Sequence, residues 1–238
     1  FTGDFQAESD GERSLGGTQY YNRLAQRVVG ALTVPTAAGA LYEVDTRLRP
    51  SGSQGPLCVS LGSFAKYQRE DAWTWEHMAL TRARPVFGSG KAQDAVQAII
   101  DDVLRAPRDP GTLIADAIKM RRDMAEHKKP KGPLDIKLLP GGLVDLEFVI
   151  HVLQLQTGKG MHPQLGLAIE AMITEGLLAS PVRDAYRLLG RLLVLIRLIA
   201  PDNQEPPAPA QMLIAKSLNM SDWPALLAEI DHARRVVL

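Results

Sequence analysis

The 238 residues are 45% hydrophobic and 23% charged, without a low-complexity tract, so the chain can bury a large core as one large or two ordinary domains. Twenty-seven Lys and Arg balance 27 Asp and Glu, so no net field draws the chain to nucleic acid or to an anionic membrane. The single cysteine, Cys58, excludes an internal disulfide and fits a reducing, cytoplasmic setting, and the most apolar window, Leu192–Ala200, is interrupted by Arg197 and too short to cross a bilayer.

Residues 1–6 read as the tail of a strand entering a loop, as if the chain began inside a fold, and the polar, glycine-rich Ala7–Gly17 reads as that loop. Thr18 is placed to cap a helix to Leu32 whose Tyr21, Leu24, Ala25, Val28 and Leu32 form one stripe. Val34-Pro35 stops it.

In Leu41–Gly55, LYEVDTRLRPSGSQG, a period of two places Tyr42, Val44, Thr46 and Leu48 on one face and Glu43, Asp45, Arg47 and Arg49 on the other. Pro50 ends this expected strand, SGSQG supplies a reversal, and Leu57–Leu61 can return as a second strand. A carboxylate beside two guanidinium groups suits a cation and a polyphosphate, because Arg grips phosphate oxygens in bidentate fashion and Asp takes hard metals. The same pattern also fits a solvated sheet face whose opposite charges pair along the strand.

Beyond Leu61 the pattern becomes helical: Ser63–Glu70, then about Ala72–Arg84. Trp73 and Trp75 fall on different faces of the second helix, one for a core and the other for a ligand or partner, although both also fit as packing residues. Phe87–Gly90 reads as a hinge, with helices expected over Lys91–Arg105 and Gly111–His127. In the latter, Leu113, Ala117, Met120 and Met124 make a core stripe and Lys119, Arg121 and Arg122 a solvated face. Residues 134–138, LDIKL, suit a short strand. Helices follow over Leu143–Gln156, Gly166–Ala179, Pro181–Ile199, Pro209–Asn219 and Asp222–Val237.

In PGGLVDLEF, Asp145 and Glu147 fall in the opening turns of a largely apolar helix. The helix dipole favours acids there, which is one explanation; a metal–phosphate site also reached by Lys137 is another. The five histidines show no metal-ligand spacing, and the sequence contains no P-loop, GxSxG or GxGxxG.

Three stretches in order, LYEVDTRLRPSGSQG, AWTWEHMALTRAR and KLLPGGLVDLEF, resemble the glutamate–ammonia ligase (glutamine synthetase) adenylyltransferase family, and the tryptophan-rich middle stretch is more similar to its C-terminal, adenylylating half. The resemblance implies an α+β, mostly α chain: part of a nucleotidyltransferase-fold sheet in residues 1–90, then a helical domain in residues 91–238 like that of the uridylyltransferase acting on the PII signal protein. It also implies transfer of AMP from ATP to a tyrosine of glutamine synthetase, with release of pyrophosphate and with Mg²⁺ as cofactor. Asp45 matches the family's third metal carboxylate. The G-S-x-x-D-x-D pair that accompanies it is not in this sequence, so the stretch by itself is expected not to catalyse the transfer. In this reading Arg47 and Arg49 meet the phosphates, and Lys137, Asp145 and Glu147 close the cleft from the helical domain. Glutamine synthetase and PII protein are the implied partners. Two alternatives stay open: the de-adenylylating, phosphate-using half, and a binding module for PII protein or the synthetase.

Overall fold

The structure, a computed structural model, describes Phe1 and residues 8–238. The strand tail expected over residues 1–6 therefore lies, except for Phe1, outside the described residues. These residues form two compact units: Phe1–Ala79 with Arg84–Val103, and Leu80–Ala83 with Leu104–Leu238. The chain is mostly α, with one small antiparallel sheet among the described residues. No helix among them is long and apolar enough to cross a membrane.

The first unit opens on helix α1, Gly17–Thr33, which starts one residue before the expected Thr18 cap, on Gly16 and without a side-chain cap. Only Gly17 of this helix is buried, and Tyr20, Leu24 and Val28 stay exposed. Its Asn22 carboxamide imitates a strand partner: Nδ2 donates to the carbonyl of Cys58 at 2.9 Å, and the Cys58 N–H donates to Oδ1 at 3.0 Å. The sheet pairs β1, Pro35–Thr36, with β2, Gly39–Ala40, in the register Pro35 to Ala40 and Thr36 to Gly39.

The strands expected at Leu41–Arg49 and Leu57–Leu61 do not form. Alternation marks residues that could pack a sheet, but a strand exists only where a neighbour completes its ladder. Here Leu41, Tyr42 and Leu48 are exposed, and the Asp45 carboxylate turns the chain by accepting from the N–H of Arg47. Ser60, placed in the expected second strand, instead caps α2, Leu61–Glu70, accepting from the Ser63 N–H at 3.1 Å.

Helix α3, Thr74–Leu80, is shorter than expected. Its start is set by Glu76, which accepts from the Trp73 N–H at 2.9 Å and from the Tyr67 hydroxyl at 2.8 Å. Trp73 is 70% and Trp75 38% exposed, so neither is the core residue expected; the indole that enters a core is Trp223. Helix α4, Gly90–Arg105, buries Ile100 and Val103.

The second unit holds the main core. Helices α6 (Leu143–Thr157), α7 (Leu165–Thr174), α8 (Pro181–Ile199), α9 (Ala208–Ser217) and α10 (Trp223–Val237) pack around Leu146, Ile150, Ile169, Met172, Leu189, Leu192, Ile196, Ile214 and Leu226, and α5 (Pro110–His127) lies against α6. Each of those nine side chains is at most 1% exposed. At about 1.5–3 kcal/mol per buried aliphatic side chain, this cluster dominates the stability of the unit. Helix α5 starts on Asp109, whose Oδ2 accepts from the Thr112 N–H, and α10 starts on Asp222 in the same way toward Ala225.

Helix α7 stops before the expected Ala179. Gly176 adopts φ +71°, its N–H reaches the Ile173 carbonyl, and the Leu177 N–H reaches that of Met172, a pattern that ends a helix through a left-handed glycine. The strand expected over 134–138 is also absent. Asp135 is 6% exposed and accepts from the N–H groups of Lys131 and Leu138, folding the segment into turns that bury Leu134 and Ile136. In the turn that follows, Gly141 has φ +71°, and a Cβ there would collide with the carbonyl of Arg234 on α10. Arg234 in turn donates from Nε to the carbonyl of Pro140 at 2.8 Å.

Candidate functional site

Two places carry the candidate chemistry, one in each unit. In the first, Asp45, Arg47 and Arg49 lie on the loop after β2. The Asp45 carboxylate accepts from Arg47 Nε at 3.0 Å on both oxygens and from Nη2 at 2.6 Å on Oδ2. The pair is exposed, 81% for the Arg47 side chain and 56% for that of Asp45. Hydrogen bonds from the Arg47 side chain and N–H lower the Asp45 pKa to about 2, and the carboxylate keeps the Arg47 guanidinium charged above its ordinary range.

Arg49 is bound differently. Its guanidinium donates to the carbonyls of Thr46 (2.7 Å), Gly55 (3.2 Å) and Ser53 (3.2 Å), and to the Thr46 hydroxyl (3.3 Å). It therefore holds the 46–55 loop closed, with Ser51 and Gly52 at positive φ and the short 3₁₀ turn Gly52–Gln54 inside it. The structure thus brings Asp45 and Arg47 into contact and places Arg49 on the carbonyls of the same loop.

The donors this chain supplies do not by themselves fit the Mg²⁺ implied by the resemblance. Asp45 is one carboxylate, already engaged by a guanidinium, and among the described residues no group of three or more His, Cys, Asp or Glu stands together to hold a metal.

In the second unit, Asp145 is bound from two sides. It forms a very short ion pair with Arg121 Nε, and its Oδ2 accepts from the Gly141 N–H at 2.6 Å. Both side chains are about one-fifth exposed, 19% for Arg121 and 18% for Asp145, so Arg121 does not belong to the solvated face expected for α5. Arg121 Nη2 also donates to the Leu138 carbonyl at 3.2 Å. Asp145 thus joins α5, α6 and the glycine turn. Lys137 is exposed, and its carbonyl accepts from the Val144 N–H at 3.1 Å.

Glu147 lies two residues further along α6 and faces a cleft of about 660 Å³ walled by α6, α7 and α8. Arg82 stands 3.7 Å from it. On the far wall, Arg183 grips Glu170 through Nε (2.7 and 2.8 Å) and Nη2 (2.6 Å), and Arg187 adds one contact at 3.2 Å. That double pairing, Arg183 first, lowers the Glu170 pKa and keeps its carboxylate charged. Gly166 lets the Tyr186 ring approach its backbone, since a Cβ there would stand 3.0 Å from the ring. Sequence reasoning reached Glu147 and missed the rest of this cleft. The available signals were a glycine, Gly190, inside an otherwise apolar and basic helix, and arginines four apart at 183 and 187.

On α6, His151 is buried, its Nδ1 2.8 Å from the Thr81 hydroxyl and 3.1 Å from Gln154 Oε1. Burial pushes its pKa down, against the opposing pull of Gln154 and Glu147.

Residues 1–99 match the family model described as glutamate-ammonia ligase adenylyltransferase. Residues 116–238 match the model described as GlnD PII-uridylyltransferase. Among curated proteins, one named bifunctional glutamine synthetase adenylyltransferase/adenylyl-removing enzyme, from Brucella suis biovar 1, is 43% identical over 216 residues, covering 87% of this chain and 22% of its own. A protein of the same name from Rhodopseudomonas palustris is 40% identical over 92% of this chain and 23% of its own. The one from Agrobacterium fabrum is 37% identical over 98% and 25%. The chain spans about a quarter of the length of the curated relatives it matches.

Proposed function

Because this chain belongs to the glutamate-ammonia ligase adenylyltransferase family, we propose that it is a piece of an enzyme that transfers AMP from ATP to a tyrosine of glutamine synthetase. One observation carries the reading: relatives bearing that activity in their name align with nearly the whole chain, across both family-model matches. In the transfer, the tyrosine oxygen bonds to the α-phosphorus, the bond to the β-phosphate oxygen breaks, and pyrophosphate leaves.

Within this reading the Asp45–Arg49 loop meets the nucleotide. Arg47 is exposed and offers a planar, permanently charged fork that suits phosphate oxygens. Asp45 holds that fork in place in the free protein. Arg49 shapes the loop and keeps its charge within reach of the same ligand. Lys137, Asp145 and Glu147 belong to the helical unit, where Asp145 acts by positioning the glycine turn. PII protein is the partner proposed for that unit, on the strength of the match over residues 116–238. Action in the cytoplasm is part of the same reading, supported by the lone free cysteine.

The test is transfer of α-phosphate-labelled AMP to glutamine synthetase by the longer protein that contains this stretch. Asp45→Asn is expected to abolish labelling while the circular dichroism spectrum and melting temperature stay unchanged. Near-normal labelling by that variant overturns the role of Asp45.

The relatives' name supports a second direction, removal of the adenylyl group. Adenylylated glutamine synthetase incubated with the longer protein and phosphate distinguishes the two: deadenylylation that depends on Asp45 assigns the stretch to the removing half.

A further inference from the structure

The cleft of the second unit has a charge surplus and a hollow that the fold does not require. Arg82, Arg183 and Arg187 face it with Glu147 and Glu170, three cations against two anions. Arg183 alone saturates Glu170 with three contacts of 2.6–2.8 Å. Arg187 is left with one contact at 3.2 Å and a side chain that is 63% exposed. The Arg82–Glu147 pair, at 3.7 Å, is beyond hydrogen-bonding distance.

Gly190 lines the hollow and adds to it. This residue lies inside the 19-residue helix α8, where glycine is a poor helix former. Its φ is not positive, and an added Cβ would meet nothing within 4 Å, so neither backbone conformation nor a neighbour demands a glycine there. What its missing side chain does is widen a cleft whose wall includes the apolar side chains of Leu143, Ile169 and Leu193. At about 660 Å³ the space falls within the range of small-molecule sites.

We propose that this cleft binds a small organic monoanion, its charged group on Arg187 and its apolar body over Leu143, Ile169 and Leu193 in the space left by Gly190. The Arg183–Glu170 pair fixes the wall and the surplus guanidinium selects charge. The site lies wholly within the second unit and stands apart from the transfer reaction.

4-Phenylbutyrate and its neutral counterpart 4-phenylbutanol serve as probes, titrated into the 238-residue chain with the methyl groups of Leu143, Ile169 and Leu193 followed by NMR. The acid is expected to shift these methyls saturably and to bind at least tenfold more tightly than the alcohol. Arg187→Gln, at an exposed side chain that does not hold the fold, should remove that tenfold preference and leave alcohol binding unchanged. Gly190→Leu should abolish binding of both. Equal affinity for acid and alcohol, absence of saturable shifts, or unchanged selectivity in Arg187→Gln overturns the proposal. Folding of Gly190→Leu is checked by the methyl spectrum, and the Arg187→Gln result decides the matter if that variant does not fold.

Discussion

Asp45 and Arg47 close on each other two residues apart, with Arg47 Nη2 2.6 Å from Asp45 Oδ2 and the Arg47 N–H 2.9 Å from Oδ1. The side chain and the backbone of one residue thus bind the same carboxylate. The loop carries a charged unit fixed by local bonds alone.

The first prediction is the titration of that carboxylate. Asp45 should titrate at about 2, measured by carboxyl carbon NMR, and Arg47→Gln should bring it up toward the ordinary aspartate value of 3.8. A folded pKa below the unfolded one favours the fold above the unfolded value and loses that benefit as pH falls through about 2. The group is open to solvent, so the melting temperature of Arg47→Gln at pH 7 should stay close to that of the parent. An unshifted Asp45 would contradict the geometry.

Arg49 leads to a different expectation. Lys at 49 keeps the charge but cannot reach the Thr46, Ser53 and Gly55 carbonyls together. Arg49→Lys should speed amide exchange at Gly52, Gln54 and Gly55 roughly tenfold, corresponding to ~1.4 kcal/mol of local opening. Exchange at Leu226 and Ile230 in the second unit should not change. Equal protection of the loop in the variant would show that the guanidinium does not hold it.

For Asp145 the expected effect is on global stability. Asp145→Ala strands the partly buried Arg121 guanidinium and frees the Gly141 N–H. The loss should be about 2–3 kcal/mol by urea denaturation, since a charged partner left unpaired costs its desolvation. Arg121→Ala should cost a similar amount, and the double variant less than the sum. Strict additivity would break the pairing.

His151 makes the second unit sensitive to acid. Its pKa is lowered by burial, so below about 6.5 the unfolded chain takes up a proton that the folded chain refuses. Its contribution is therefore complete above the unfolded pKa and is lost as pH falls toward the folded one, at up to ~1.4 kcal/mol per pH unit. His151→Gln keeps a hydrogen-bonding side chain beside Thr81 and Gln154, and should flatten the slope between pH 7 and 5. An unchanged slope would place the proton uptake elsewhere.

The helices of the second unit were legible in the sequence because each carries its own signals. Apolar residues recur at helical spacing, Pro181 opens α8, and Asp222 opens α10. The strands of the first unit were not. Tyr42, Val44, Thr46 and Leu48 alternate with charges as a strand does, but alternation cannot provide a ladder partner, and Asp45 turned its own chain instead. The family resemblance survived that error because it rested on residue identities and their order, which do not depend on pairing.

What the sequence determined by itself was local: helix positions, breaks at proline and glycine, the run of charges in Leu41–Gly55 and the lineage its motifs carry. Which charges would meet was decided only in three dimensions. Arg121 and Asp145 are 24 residues apart, and Arg183 and Glu170 come from different helices. Asp145 reads as a dipole-favoured acid near a helix start until packing supplies Arg121. Gly190 reads as a weak point in a helix until α6 and α7 enclose the space beside it. Local bonds follow from neighbours along the chain, whereas clefts and buried ion pairs depend on which helix faces the core brings together.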